Sequence, residues 1–135
     1  YLNQYFTKIK ESLKPNGKAA IQGIMIKDEL FDRYRTDEDF IQKYIFPGGF
    51  LPSLNYIKKL TKKNQLNLEE IHSYSDDYAK TLSIWKNNFF RTWDNISPLG
   101  FDNYFKRMWE FYLSYCEAGF KSKNIDLIQF SMSNR

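Results

Sequence analysis

The side chains able to do chemistry in this sequence are few in kind and uneven in number. His72 is the only histidine and Cys116 the only cysteine among 135 residues. One histidine excludes multi-histidine metal ligation, though not a carboxylate site. One cysteine excludes an intrachain disulfide framework and a cysteine-rich zinc module. Basic residues are more plentiful, 20 Lys and Arg against 16 Asp and Glu, for a net charge of +4. Lys58, Lys59, Lys62 and Lys63 fall at i, i+1, i+4 and i+5 and so share one side of a helix. Such a cluster is either a solvated face or an attraction for anionic lipid head-groups, worth roughly 1 kcal/mol per basic residue near that surface. No nucleic-acid partner is expected. No recognition motif accompanies the lysines, and Asp28, Glu29, Asp32, Asp37, Glu38 and Asp39 form an acidic stretch nearby. The largest chemical resource is aromatic, with 12 Phe, 10 Tyr and 3 Trp. That load is the reverse of a disordered composition.

These residues need elements to position them, and the length suits one domain. Residues 2–14 predict an amphipathic helix, with Leu2, Phe6, Ile9 and Leu13 at helical spacing and Pro15-Asn16-Gly17 turning the chain. Residues 18–26, KAAIQGIMI, are an apolar run of strand length, suited to a strand buried on both faces as in a parallel sheet. Residues 36–45 read as a helix capped by Thr36, with Asp39 three residues on. The segment Phe46-Pro47-Gly48-Gly49-Phe50-Leu51-Pro52 must be a loop. Ser53 caps a helix to about Lys63, residues 66–74 read as a second strand, and a helix runs from Asp77 to about Trp93. Residues 125–132 make a last strand. His72 reads as a surface or strand-edge residue. No run approaches the ~18 apolar residues of a membrane span.

Residues 101–118 form the most informative helix. Asp102, Asn103, Lys106, Arg107, Glu110, Ser114 and Glu117 fall within an arc of roughly 140° at about 100° per residue. The remaining surface, Phe101 to Cys116, is wider than one packing stripe requires. The helix is either wedged between a sheet and a second helix or lines a pocket for an apolar ligand. Cys116, on its aromatic side, reads as a buried thiol.

Four blocks in order, DFIQKYIFPGGFLPS at 39–53, DYAKTLSIW at 77–85, FKRMWEFYLSYCEAGF at 105–120 and IDLIQFSM at 125–132, resemble the cyclopropane-fatty-acyl-phospholipid synthase family of S-adenosylmethionine-dependent methyltransferases. The resemblance spans nearly the whole chain. It implies an α/β fold, the C-terminal part of a class I methyltransferase (Rossmann-like) sheet. This chain would supply the last three strands, the final one antiparallel, with substrate-covering helices. LKPNG at 13–17 matches the turn before the family's fifth strand. The chain opens at Tyr1-Leu2-Asn3 as a helix in progress, without Met or a leader pattern. Residues 1–135 are therefore expected to be the C-terminal portion of one methyltransferase domain. The cofactor-binding half would lie upstream, since none of the six glycines forms a nucleoside-binding loop after a strand.

The family's reaction, as the resemblance implies it, moves a methyl group from S-adenosylmethionine to a cis double bond of an unsaturated phospholipid acyl chain. A bound bicarbonate acts as the base. Its ligands would include Tyr78, whose phenol can donate to an anion. At the end of the fifth strand many members read His-Thr-Ile, where this chain has Gln22, Gly23 and Ile24. Backbone amides there would still hold an anion, but Gln22 does not titrate as His does. The loop residues Phe46, Gly48, Gly49 and Leu51 and the helix aromatics Trp85, Phe89, Tyr112 and Tyr115 are candidates for acyl-chain contact. Such aromatic faces could also steady a carbocation. A cytoplasmic protein peripheral at the inner face of the membrane is implied. A homodimer through the exposed edge of an incomplete sheet is also expected, as a property of the fragment and not of the enzyme. Two alternatives stay open: a non-catalytic lipid-binding remnant, and a class I methyltransferase acting on a soluble small molecule.

Overall fold

A computed structural model describes residues 1–134. Helix α1 (Leu2–Ser12) leads through the Pro15-Asn16-Gly17 turn into strand β1 (Lys18–Ile26). Helix α2 (Asp28–Thr36), a π-helical turn (Ile41–Ile45) and helix α3 (Leu54–Lys63) precede strand β2 (Asn67–Ser73). Helix α4 (Ser75–Arg91), the short α5 (Trp93–Ile96), a 3₁₀ turn (Ser97–Leu99), the long α6 (Asn103–Lys121) and strand β3 (Ile125–Ser133) complete the chain.

The last strand lies in the middle of the sheet, in the order β1-β3-β2. β3 runs antiparallel to both neighbours, from Lys18↔Ser133 to Ile26↔Ile125 on one side and from Asn67↔Ser133 to Ser73↔Ile128 on the other. β1 and β2 are therefore parallel to each other without touching. A register shift between Leu68 and Ile71 interrupts the β2–β3 ladder.

Strand alternation feeds two cores. Ile128, Phe130 and Met132 of β3, with Met25 of β1, pack against Phe6 of α1 and Ile57 and Leu60 of α3. Ile125 and Leu127 of β3, with Ile24 of β1, face the opposite way, toward Ala79 and Leu82 of α4 and Leu113 and Phe120 of α6. The molecule is thus a helix–sheet–helix sandwich.

Three expectations from the sequence need correction, and one helix carries almost no sequence signal. β1 is not buried on both faces. Gln22 is exposed, Gly23 and Ile24 are half-buried, and Met25 alone is fully buried. α2 went unread because Phe31 is its only buried residue, so its apolar signal is slight. Thr36 ends α2, its hydroxyl donating to the Arg33 carbonyl at 2.9 Å, and caps nothing. Asp39 does the capping instead. Its carboxylate accepts from the Gln42 amide at 2.8 Å while the Gln42 side chain accepts from the Asp39 amide at 3.0 Å. This reciprocal box opens a single π turn, closed by Phe46 N–H donating to the Ile41 carbonyl at 2.8 Å, rather than a helix over 36–45. Finally, Glu117, placed on the polar arc, is 7% exposed. Lys86 of α4 and Lys121 reach its carboxylate at 3.0 and 2.5 Å.

Candidate active site

The amide directions of β1 follow from its pairing. Ile26 N–H donates to the Pro52 carbonyl at 3.0 Å, away from β3. In an antiparallel ladder this alternates, so the Ile24 and Gln22 amides also point away from β3, toward the open edge. The Ile24 side chain packs on the α4–α6 side of the sheet, in the cluster that holds Tyr78, Tyr112 and Cys116.

Tyr78 sits in the first turn of α4, half-buried, with its ring edge-on to Phe120 at 4.8 Å and to Trp85 at 6.0 Å. Tyr112 and Cys116 are four residues apart on α6 and so share a face. Tyr112 packs on Trp109 at 4.9 Å and meets Phe46 of the Pro-Gly-Gly loop edge-on at 6.3 Å. One turn around α6, Tyr115 meets Phe40 at 6.1 Å and faces the Asp39 carboxylate. Gln42 donates to the Gly49 carbonyl at 3.2 Å, and the Tyr34 hydroxyl accepts from the Leu51 amide at 3.1 Å. The segment from Asp39 to Leu51 is thereby tied both to α6 and to α2.

The site's phenols and its thiol are held in their protonated forms. Burial raises the Tyr78 phenol, with the neighbouring Cys116 adding to it. Burial and Cys116 push Tyr112 up to about 12. Burial and the Asp39 charge push the Cys116 thiol up to about 11, against a hydrogen bond from Tyr112 that lowers it. Tyr115 is raised by burial and by Asp39. Desolvation disfavours the charged forms, so the wall carries neutral hydrogen-bond donors and no thiolate.

The structure brings Ile24, Tyr78 and Tyr112 together and sets Phe46 and Tyr115 at the border. Phe89 belongs to the same helix-facing cluster, edge-on to Trp93 at 5.5 Å and to Phe105 at 6.4 Å. Others stand apart. Gln22 accepts a hydrogen bond from Gln129 at 2.8 Å on the exposed strand surface. Trp85 is 49% exposed beyond Tyr78. Gly48, at φ +78°, shapes the loop, and Leu51 contributes its backbone to Tyr34. Asp39, Tyr34 and Cys116 are the site residues that the sequence reading missed. The i, i+4 pairing of Tyr112 with Cys116 was the available signal; the Asp39 contact is long-range and left none. A wider hollow of about 470 Å³, bordered by Lys58, Lys62 and Gln65, lies on the other helix layer, away from Tyr78.

This sheet edge, with its last strand antiparallel between two parallel ones and helices on both faces, has the α/β fold of the C-terminal part of a class I methyltransferase sheet. The family model for mycolic acid cyclopropane synthetase matches residues 1–130, and the chain belongs to that family. It is 39% identical over 130 residues to the tuberculostearic acid methyltransferase UfaA1 of Mycobacterium tuberculosis, covering 96% of this chain and 30% of that protein. It is 34% identical over 135 residues to the cyclopropane-fatty-acyl-phospholipid synthase of Escherichia coli K12, covering 96% and 32%. The crystal structure of mycolic acid cyclopropane synthase CmaA1 complexed with SAH and CTAB superposes with a TM-score of 0.84. It is 24% identical and shares 97% of this chain and 49% of that one. The chain thus spans about a third of the length of these curated relatives. Among the described residues, no helix is long and apolar enough to cross a membrane.

Proposed function

We propose that this chain is the substrate-covering portion of an enzyme that transfers a methyl or methylene group from S-adenosylmethionine to the double bond of an unsaturated phospholipid acyl chain. The observation that carries this reading is the convergence of Ile24, Tyr78, Tyr112 and Cys116 on one half-dry wall whose titratable groups are all protonated. Methylation of an alkene leaves a cation on carbon, and water or a thiolate would capture it. A thiol raised to about 11 and a phenol raised to about 12 stay neutral at physiological pH, so neither competes as a nucleophile. The aromatic faces of Tyr78, Tyr112 and Trp109 exclude water and favour positive charge over their π-systems.

This chain does not itself fit a nucleoside. Its one strand glycine, Gly23, lies inside β1 and opens no strand–loop–helix turn, so no residue here is assigned to S-adenosylmethionine. A bicarbonate fits better. The Tyr78 hydroxyl and the outward-pointing Ile24 amide are donors of the kind an anion needs, and Gln22 follows on the same strand face. Bicarbonate would supply the base that accepts the departing proton.

The same reading puts the full-length protein, as a proposal, in the cytoplasm and peripheral at the inner face of a membrane. The exposed Lys58, Lys59, Lys62 and Lys63 of α3 would supply an electrostatic pull of roughly 1 kcal/mol each toward anionic head-groups. The open edge of β1 offers a ladder to a second copy of the isolated chain. The direct test is incubation of the full-length protein with methyl-labelled S-adenosylmethionine and monounsaturated phospholipid vesicles. Label in the lipid fraction, as a ring or a methyl branch, supports the proposal. Label confined to aqueous products overturns it in favour of a soluble substrate, and no label anywhere favours a non-catalytic lipid-binding remnant.

A further inference from the structure

On the exposed side of α6 a cleft of about 300 Å³ opens toward the π turn, lined by Phe40, Tyr44, Tyr104, Arg107 and Met108. Its walls are apolar. Phe40 stands edge-on to Phe111 at 4.6 Å and lies against Tyr44 at 5.4 Å. Its rim is cationic. Arg107 is exposed and has no ion-pair partner among the described residues, and the Lys43 ammonium lies over the Tyr44 ring at 5.3 Å. An aromatic trough with a guanidinium in its lining and an ammonium over one of its rings matches an amphiphile with an anionic head.

Phe40 and Asp39 connect the trough with the border of the site already described. Tyr104, Met108, Phe111 and Tyr115 recur at i, i+4, i+7 and i+11, which keeps them on one stripe of α6. Phe40 packs along the stripe, on Phe111 at 4.6 Å and Tyr115 at 6.1 Å, and Asp39 beside it faces Tyr115 and Cys116. From Arg107 to Cys116 the helix advances about 13.5 Å and turns through half a revolution. An acyl chain held at Arg107 would therefore pass Met108 and Phe40 around α6 to reach the Tyr78–Tyr112 wall.

We propose that Arg107, assisted by Lys43, holds the phosphodiester of the phospholipid substrate, and that the Phe40–Tyr104–Met108 cleft carries the first carbons of its acyl chain inward. This rests on the acyl-lipid reading above and adds a head-group subsite to it.

The test uses the full-length protein and two single-chain probes bearing the same monounsaturated acyl chain, a lysophosphatidylglycerol and a monoacylglycerol. Binding is read from tryptophan fluorescence, since Trp109 adjoins Tyr112. The wild type is expected to bind the phosphate-bearing probe roughly tenfold or more tightly than the neutral one. Arg107→Gln should erase that preference while leaving monoacylglycerol binding unchanged, and Arg107→Lys, which keeps the charge and loses the fork, should restore part of it. Lys8→Gln on α1, an exposed lysine given no part in lipid binding, should keep it in full. A preference that survives Arg107→Gln, or a wild type with no preference, overturns the proposal. The readout needs no turnover. An Arg107-dependent preference in a protein that labels no lipid would sink the reaction and keep the subsite, whereas labelled lipid without the preference would do the reverse.

Discussion

The Tyr78 ring stands edge-on to Phe120, with centroids 4.8 Å apart and planes at 87°. Phe120 is 1% exposed, and its carbonyl also accepts a hydrogen bond from the Ser75 hydroxyl at 2.7 Å. The first turn of α4 is thus fastened to the last turn of α6 by one ring contact and one hydrogen bond. It is the ring, not the hydroxyl, that fixes Tyr78 in place.

Tyr78→Phe should therefore separate stability from turnover. The ring contacts with Phe120 and Trp85 survive, so the melting temperature is expected to move little. Turnover in the labelled-methyl assay should fall at least tenfold, about 1.4 kcal/mol of barrier. Unchanged turnover would remove Tyr78 from the site.

The Cys116 thiol offers a pH readout of the same wall. Its alkylation by iodoacetamide should be slow at neutral pH and rise toward a midpoint near 11. A negative charge at Asp39 disfavours the thiolate, so Asp39→Asn should shift the midpoint downward and speed alkylation at mildly alkaline pH. An upward or absent shift in the rate profile would contradict the geometry.

Glu117 links the same two helices. Its carboxyl is held below the ordinary carboxylate range chiefly by hydrogen bonds from Lys121 and Lys86. A folded-state value below the unfolded one means the stabilisation is complete above the unfolded value, near 4.5, and is lost as pH falls through the folded one. Glu117→Gln should lower stability at neutral pH by about 1–3 kcal/mol. Urea melts of wild type and variant should converge as pH drops below that window. A gap independent of pH would assign the loss to packing.

At Gly49 a methyl group would sit 2.9 Å from the Phe46 carbonyl oxygen, a backbone atom with little room to retreat. Gly49→Ala should open the turn closed by Gly49 N–H on that carbonyl and release Phe46 from Tyr112. A loss of about 1–3 kcal/mol is expected, with faster proteolysis between residues 46 and 52. Proteolysis at the wild-type rate would show the loop to be more adaptable than its contacts suggest.

The sequence carried most of the architecture. Pro15-Asn16-Gly17, the prolines and glycines of 46–52 and the cap at Ser53 are local signals, and the elements they bound fall within a few residues of expectation. Ser53 does accept from the Tyr56 amide, at 3.3 Å. What failed had non-local causes. The burial of β1 depends on which strand lies beside it, not on its own apolar run. α2 buries one side chain and so shows almost no periodicity. Glu117 is polar in sequence, but two lysines, one from another helix, make its burial tolerable. Of the residues gathered on the proposed wall, Tyr78 was singled out by its 77–85 block and Ile24 by its place at the end of the strand over 18–26. Asp39, 76 residues before Tyr115 in the chain, meets it only because the Pro-Gly-Gly loop folds the π turn back onto α6.

The position of β3 between β1 and β2 has a consequence for how the sheet is made. Neither flanking strand has a hydrogen-bonded neighbour among the described elements until residues 125–133 arrive, and the Lys18↔Ser133 pair closes a loop of more than a hundred residues. Contacts of that sequence separation form slowly. During synthesis, helices and loops can gather first, while two strands wait with bare edges for a keystone translated after both. A ribosome pause or truncation short of residue 125 would strand that intermediate, making the sheet's last-formed strand the step most exposed to aggregation.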